Sequence, residues 1–130
     1  TTIHLCLVHC KGAYEGRVSK DIRNFYTVCG QAQKSIVAKH AGIPSLYHDL
    51  KRRDEIWKRE AKTRFLKADI QRLSYFKEKA RRSSLTFEML LIQPGASVAT
   101  VTDEALHLLA TTELYLSKTT QAKFRVILSE

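Results

Sequence analysis

Leu85-Thr86-Phe87-Glu88-Met89-Leu90-Leu91-Ile92 begins by alternating apolar and polar residues and ends wholly apolar; Gln93-Pro94-Gly95 then closes it. That pattern predicts a β-strand ending at a turn. Downstream, Thr102 occupies an N-cap position, and Asp103 and Glu104 suit the positive end of a helix dipole. Leu106, Leu109, Ala110, Leu114 and Leu116 then recur on helical spacing to about Thr119, which predicts that they face inward. Phe124 to Leu128 predicts a further strand. The stretch from Leu85 to Leu128 has the length of a β-α-β crossover, whose two strands are parallel and whose hand is right. The fold class is therefore α/β.

Working upstream, Ile3 to Lys11 predicts a strand with Ile3, Leu5, Leu7, His9 and Lys11 on one side and His4, Cys6, Val8 and Cys10 on the other. Both sides are largely apolar through Val8, the mark of a central strand covered on both faces. Gly12 to Gly16 forms a loop and Ser19 an N-cap. Asp21 to about His40 is a helix carrying Ile22, Phe25, Tyr26, Cys29, Ala32 and Ile36 on its apolar face, ended by Ala41-Gly42-Ile43-Pro44. Ser45 caps a second helix, about Leu46 to Lys62, with a thin stripe of Leu46, Leu50 and Trp57. A third, about Lys67 to Arg82, aligns Ile70, Leu73, Phe76 and Ala80. The expected order is β-α-α-α-β-α-β: one domain over 1–130, parallel central strands, helices on both faces, and a helical basic insertion at about 45–82. Three strands are few for so many helices, and no Met stands at the start, so a fragment of a longer protein is expected.

The chain has 130 residues, 44% of them apolar, enough for a real core. No apolar run reaches the roughly 18 residues of a membrane span. Cys6, Cys10 and Cys29 show no CxxC or zinc spacing, so reduced, buried thiols in a cytoplasmic protein are expected. His40, His48 and His107 have no ligand spacing, and no GxxxxGK[ST] or GxGxxG is present, which excludes ATPase and dinucleotide chemistry from this stretch.

The net charge is +9, and its placement is uneven. Residues 1–50 carry +3, residues 51–82 carry thirteen Lys/Arg against five Asp/Glu, and residues 83–130 carry −2. Lys51, Arg52, Arg53, Lys58, Arg59, Lys62, Arg64 and Lys67 span two helices and a link, with Trp57, Tyr75 and Phe76 among or near them. Arg81 and Arg82 close the third helix, where they also suit its dipole. Asp54, Glu55 and Glu60 neutralise part of this face, but thirteen cations exceed what they absorb. The excess points to a polyanion, and so to nucleic acid held through its phosphates. No zinc-finger or basic-zipper pattern supports reading of base sequence.

His9 and Lys11 share the inward side of the first strand at its end. A Lys there needs a partner or a task, unless the strand simply ends and Lys11 snorkels outward. Soon after comes Gly30-Gln31-Ala32-Gln33-Lys34-Ser35, in which Gln31 and Ser35 share a helix face. Gly30 costs the helix about 1 kcal/mol relative to Ala, which suggests a close packing contact.

Leu7-Val8-His9-Cys10-Lys11 followed by Val28 to Ser35 resembles the back half of the PD-(D/E)XK nuclease core, the restriction-endonuclease-like fold, in which a strand ends in an acid-x-Lys triplet and the next helix carries a Gln. Leu90 to Gly95 and Leu108 to Leu116 are similar to C-terminal parts of large bacterial helicase-type proteins. The resemblance implies a metal-dependent nuclease domain acting on DNA phosphodiester bonds, in bacterial defence or DNA processing, beside the upstream part of the same protein or a helicase partner. It implies that His9, Lys11 and Gln31 mark the catalytic site and that a divalent metal, Mg²⁺ or Mn²⁺, is the cofactor. His9 stands where the family has Asp or Glu, so the ligand position falls to an imidazole, which suits softer ions than Mg²⁺. The family's first Asp has no counterpart, so the 130-residue piece is expected to be inactive alone. Two other readings remain open: a nucleic-acid-binding module on a nuclease-like scaffold, and a docking domain whose last helix is an interface.

Overall fold

Leu91 is wholly buried and Met89 is 1% exposed, and both belong to the middle strand of a three-stranded sheet. The computed structural model describes residues 1–11 and 21–129. Its elements are β1 (Thr2–Cys10), α1 (Ile22–Lys34), α2 (Ile36–Lys58), α3 (Ile70–Lys79), a 3₁₀ turn (Ala80–Arg82), β2 (Ser84–Pro94), α4 (Asp103–Thr120) and β3 (Lys123–Ser129). The order and the α/β class are those the sequence predicts. The sheet order is β1-β2-β3, with β2 and β3 parallel and in register from Glu88 opposite Lys123 to Pro94 opposite Ser129. β1 runs the same way, since its start meets that of β2, where the Ser84 N–H donates to the Thr1 carbonyl at 3.0 Å. The Gly12–Gly16 loop and the Ser19 cap lie outside the described residues.

The chain forms two compact units, one of Thr1–Ile3 and Val37–Leu85, the other of His4–Ile36 and Thr86–Glu130. The second holds the apolar core. Phe25, Val28 and Cys29 of α1 meet Leu91 of β2 and Ala105 and Leu109 of α4, flanked by Phe124, Val126 and Leu128 of β3. Ala32, Met89 and Leu116 form a neighbouring cluster against Leu7. Burying one such Leu stabilises the fold by about 1.5–3 kcal/mol. Asp21 caps α1, accepting from the Arg23 N–H at 2.8 Å, and Thr102 caps α4, accepting from the Ala105 N–H at 3.3 Å.

Four expectations are corrected here. First, β1 is an edge strand, not a central one; β2 is central. Second, α1 and α4 cover the same face of the sheet, because an order that steps steadily from β1 to β3 brings crossovers of one hand to one side. Third, Cys6 and Cys10 lie on the opposite face and are exposed, so of three free thiols only Cys29 is buried. Fourth, the buried stripe of α4 is Ala105, Leu109, Thr112, Leu116 and Thr120, while Leu106, Ala110 and Leu114 are exposed. In α1, likewise, Val28 is buried and Tyr26 is not.

The opposite face is tied together by charge. Glu88 on β2 is buried and accepts from Arg125 Nε on β3 and from His4 Nε2 on β1 at 3.1 Å, while His4 Nδ1 meets Thr86 Oγ1 at 3.0 Å. Burial pushes the Glu88 carboxyl up, but the Arg125 hydrogen bond and charge, joined by His4, outweigh it and hold it below the usual range.

Candidate nucleic-acid interface

Of the strand-end residues, His9 comes into side-chain contact with Ser35 at the end of α1. Ser35 caps the end of α1, and its Oγ donates to the Gln31 carbonyl at 3.0 Å. The same Oγ lies 2.9 Å from His9 Nε2, within hydrogen-bond distance. Partial burial lowers the His9 pKa, which favours the neutral ring. Gln31 takes part through its backbone, and its side chain is exposed. A Cβ on Gly30 would meet nothing within 4 Å, so no close approach explains that glycine.

The implied metal does not fit these donors. His9 can offer a metal one ring nitrogen, Nδ1 being outside the Ser35 contact, and Lys11 is a cation, so the pair supplies no carboxylate oxygen. Among the described residues no group of three or more His, Cys, Asp or Glu could hold a metal ion.

The basic unit is built differently. α2 is two helical segments that meet at Gly42, whose φ of 70° and ψ of −177° leave the helical region, so the break predicted at Ala41–Pro44 is present. The helix ends at Lys58 in a Schellman motif: Lys62 N–H donates to the Trp57 carbonyl at 3.1 Å and Ala61 N–H to that of Lys58 at 3.0 Å. Ala61 takes the left-handed φ of 56° that glycine normally supplies. Buried Asp54 holds this reversal, accepting from Arg64 N–H and Thr63 Oγ1, both at 2.9 Å, and pairing with Lys58 at 3.1 Å. The Arg64 N–H bond leads in keeping its carboxyl below the usual range, against burial. Arg64 then lays its guanidinium 4.3 Å from the Trp57 ring centre.

The predicted phosphate-binding residues divide into two groups. Between residues 49 and 62, six cations (Lys51, Arg52, Arg53, Lys58, Arg59, Lys62) meet four acids (Asp49, Asp54, Glu55, Glu60). Five of those cations are paired: Arg52 and Arg53 with Asp49, Lys51 with Glu55, Lys58 with Asp54 and Lys62 with Glu60. Between residues 64 and 82, seven cations (Arg64, Lys67, Arg72, Lys77, Lys79, Arg81, Arg82) face only Asp69 and Glu78. Asp69 is occupied as the N-cap of α3, accepting from the Arg72 N–H at 2.9 Å. Lys67, Arg81 and Arg82 have no acidic partner among the described residues.

Arg72, Lys77 and Lys79 are functional candidates that the sequence reading did not select, although the imbalance of seven against two was already visible; Tyr75 was noted there beside the basic residues. Tyr75 borders two clefts. One, of about 570 Å³, is lined by Lys77, Lys79, Arg81 and Arg82, with Glu78 its acid; the other, of about 440 Å³, is lined by Asp69, Gln71 and Arg72. Arg72 lies 5.1 Å and Lys79 5.5 Å from the Tyr75 ring centre, and Lys77 lies 4.3 Å from that of Tyr47. No helix among the described residues is long and apolar enough to cross a membrane.

Comparison with protein-family models, with curated proteins and with solved structures returns no match.

Proposed function

We propose that this chain is a nucleic-acid-binding module that grips phosphate backbone through its basic helical unit. The observation that carries the reading is the charge left over after internal pairing: residues 64–82 hold seven cations against two acids, one of them a helix cap. Such an excess is costly in an isolated unit and favourable beside a polyanion. The contacts are to phosphate, so affinity is independent of base sequence, and DNA is the expected partner ahead of RNA.

The test is binding of a labelled DNA duplex between about 50 and 200 mM salt. Log affinity falls linearly with log salt, and reversing Arg59, Arg64 and Lys67 to Glu weakens binding at least about tenfold for unrelated sequences alike. Unchanged affinity in that triple variant would sink the reading.

Cleavage is the second reading, as the C-terminal part of a restriction-endonuclease-like core. One observation favours it: the end of α1, with Gln31 and Ser35, meets the end of β1, with His9, as the resemblance implies. The same assay reads it, because a nuclease shortens the labelled strand and Lys11→Ala stops that without weakening binding. A duplex that stays intact in a longer protein carrying the upstream segment removes this second reading.

A further inference from the structure

We propose that Tyr75 is a stacking platform for an unpaired base, and that the ligand of the basic unit is single-stranded nucleic acid lying across it. The inference rests on the nucleic-acid reading above and specifies the form of its ligand.

Tyr75 is 45% exposed, so packing does not account for the ring. Two cations lie over the ring, Arg72, which also lines the smaller cleft, and Lys79, which also lines the larger. Phe76 meets it edge-on at 5.8 Å between centres, which steadies the ring without covering it. The larger cleft has the volume of a small-ligand site. Its charged lining is four cations against Glu78; Ser83 Oγ already donates to the Lys79 carbonyl at 2.9 Å, and Arg81 and Arg82 have no ion pair among the described residues. A half-exposed aromatic ring beside a cation-rich hollow matches what a single strand presents, a base plane next to phosphates, with the base taking the place of a cation over the ring. A duplex keeps its bases paired and stacked inside, so it offers the cations its backbone but offers Tyr75 nothing. An acidic peptide would use the cations but offers the ring no base plane to stack on.

The test is fluorescence anisotropy at low salt with three probes: a labelled oligo-dT, a hairpin duplex of equal phosphate number, and poly-glutamate of equal charge. Oligo-dT binds at least about tenfold more tightly than the other two. Tyr75→Ala weakens oligo-dT about tenfold, within what one stacked base contributes, and changes duplex binding less than about twofold. Tyr75→Phe retains binding, because the π-face remains. Tyr75→Leu, which keeps bulk and fold, behaves like Tyr75→Ala. Reversing Arg81 and Arg82 to Glu weakens oligo-dT and makes its log-log salt slope shallower by at least about 1.4, the share of two phosphates on a single strand. Equal affinity for the strand and the hairpin with Tyr75→Leu silent overturns the single-strand inference and leaves phosphate binding standing. Poly-glutamate bound as tightly as oligo-dT overturns it in favour of an acidic protein partner. Failure of every nucleic-acid probe to bind at low salt overturns both this inference and the reading beneath it.

Discussion

The two units of this chain differ in what holds them. Residues 4–36 and 86–130 close around two apolar clusters from α1, α4 and all three strands. In residues 1–3 and 37–85 only Ile43 and Asp54 are buried among the described residues, and one of those is a carboxylate. Order there relies on surface ion pairs and cation–ring contacts, each contributing about 1 kcal/mol or less. The unit that looks functional is thus the one least able to hold itself together. The surplus of like charge in residues 64–82 adds self-repulsion, which a bound polyanion removes. Stability and recognition sit in separate parts of the sequence, and ligand binding should stabilise chiefly the basic part.

Native-state hydrogen exchange should expose that contrast most strongly. The amides of Met89 and Leu91 exchange only with global unfolding, whereas those of Leu73 and Phe76 exchange at least about a thousandfold faster, a gap of about 4 kcal/mol. Comparable protection across both sets would break the comparison and make the protein one cooperative body.

Truncating one leucine in each unit sharpens it. Leu91→Ala removes a side chain with no exposure and is expected to cost about 2–5 kcal/mol in denaturant unfolding. Leu66→Ala trims a fully exposed residue of the basic unit and is expected to stay within about 0.5 kcal/mol. A large loss at Leu66 would mean that the basic unit has a core that the free chain does not show.

The sequence carried some levels of this structure and not others, for physical reasons. Strand and helix order was legible because each element has its own periodicity, as Thr86–Ile92 and Phe25–Cys29–Ala32 illustrate. Which face is buried was less legible: in α4 Leu106 and Leu109 are equally apolar, and only packing against Leu91 decides that Leu109 goes inside. The central place given to β1 failed because two apolar faces also suit an edge strand with one side open, where Cys6 and Val8 remain exposed. The end of α2 was invisible because Ala61 adopts a glycine-like φ, and the compensation comes from Asp54, Thr63 and Arg64 folding back. At the candidate sites, helical spacing linked Gln31 with Ser35 and the resemblance linked His9 with Gln31, but the direct contact of His9 with Ser35 was not foreseen. Among the basic residues, the sequence pointed to the densest run, Lys51–Arg53, where Asp49 and Glu55 already pair the charge.

The smallest expected effect comes from acid, and it tests whether the units respond separately. Glu88 and Asp54 both have carboxyl pKa values held low in the folded chain, Glu88 by Arg125 and His4 against burial, Asp54 by Arg64 N–H, Thr63 and Lys58. A carboxyl with a depressed folded pKa contributes stability that is fully present above its unfolded value, about 4.3 for Glu and 3.9 for Asp. That contribution is lost as pH falls through the lower folded value, so the window lies below about pH 4.3 for both groups. Trp57 is the single tryptophan and stacks under Arg64 beside the Asp54 reversal, so its fluorescence reports the basic unit. The Met89 and Leu91 amides, followed by NMR, report the sheet. Glu88→Gln should lower stability of the sheet at neutral pH and flatten its acid response, leaving the Trp57 transition in place. Asp54→Asn should do the converse, shifting the Trp57 signal while the sheet amides titrate as before. If either variant moves both probes together, the units are coupled, and the separation of a stable platform from a thinly packed binding unit no longer describes the protein.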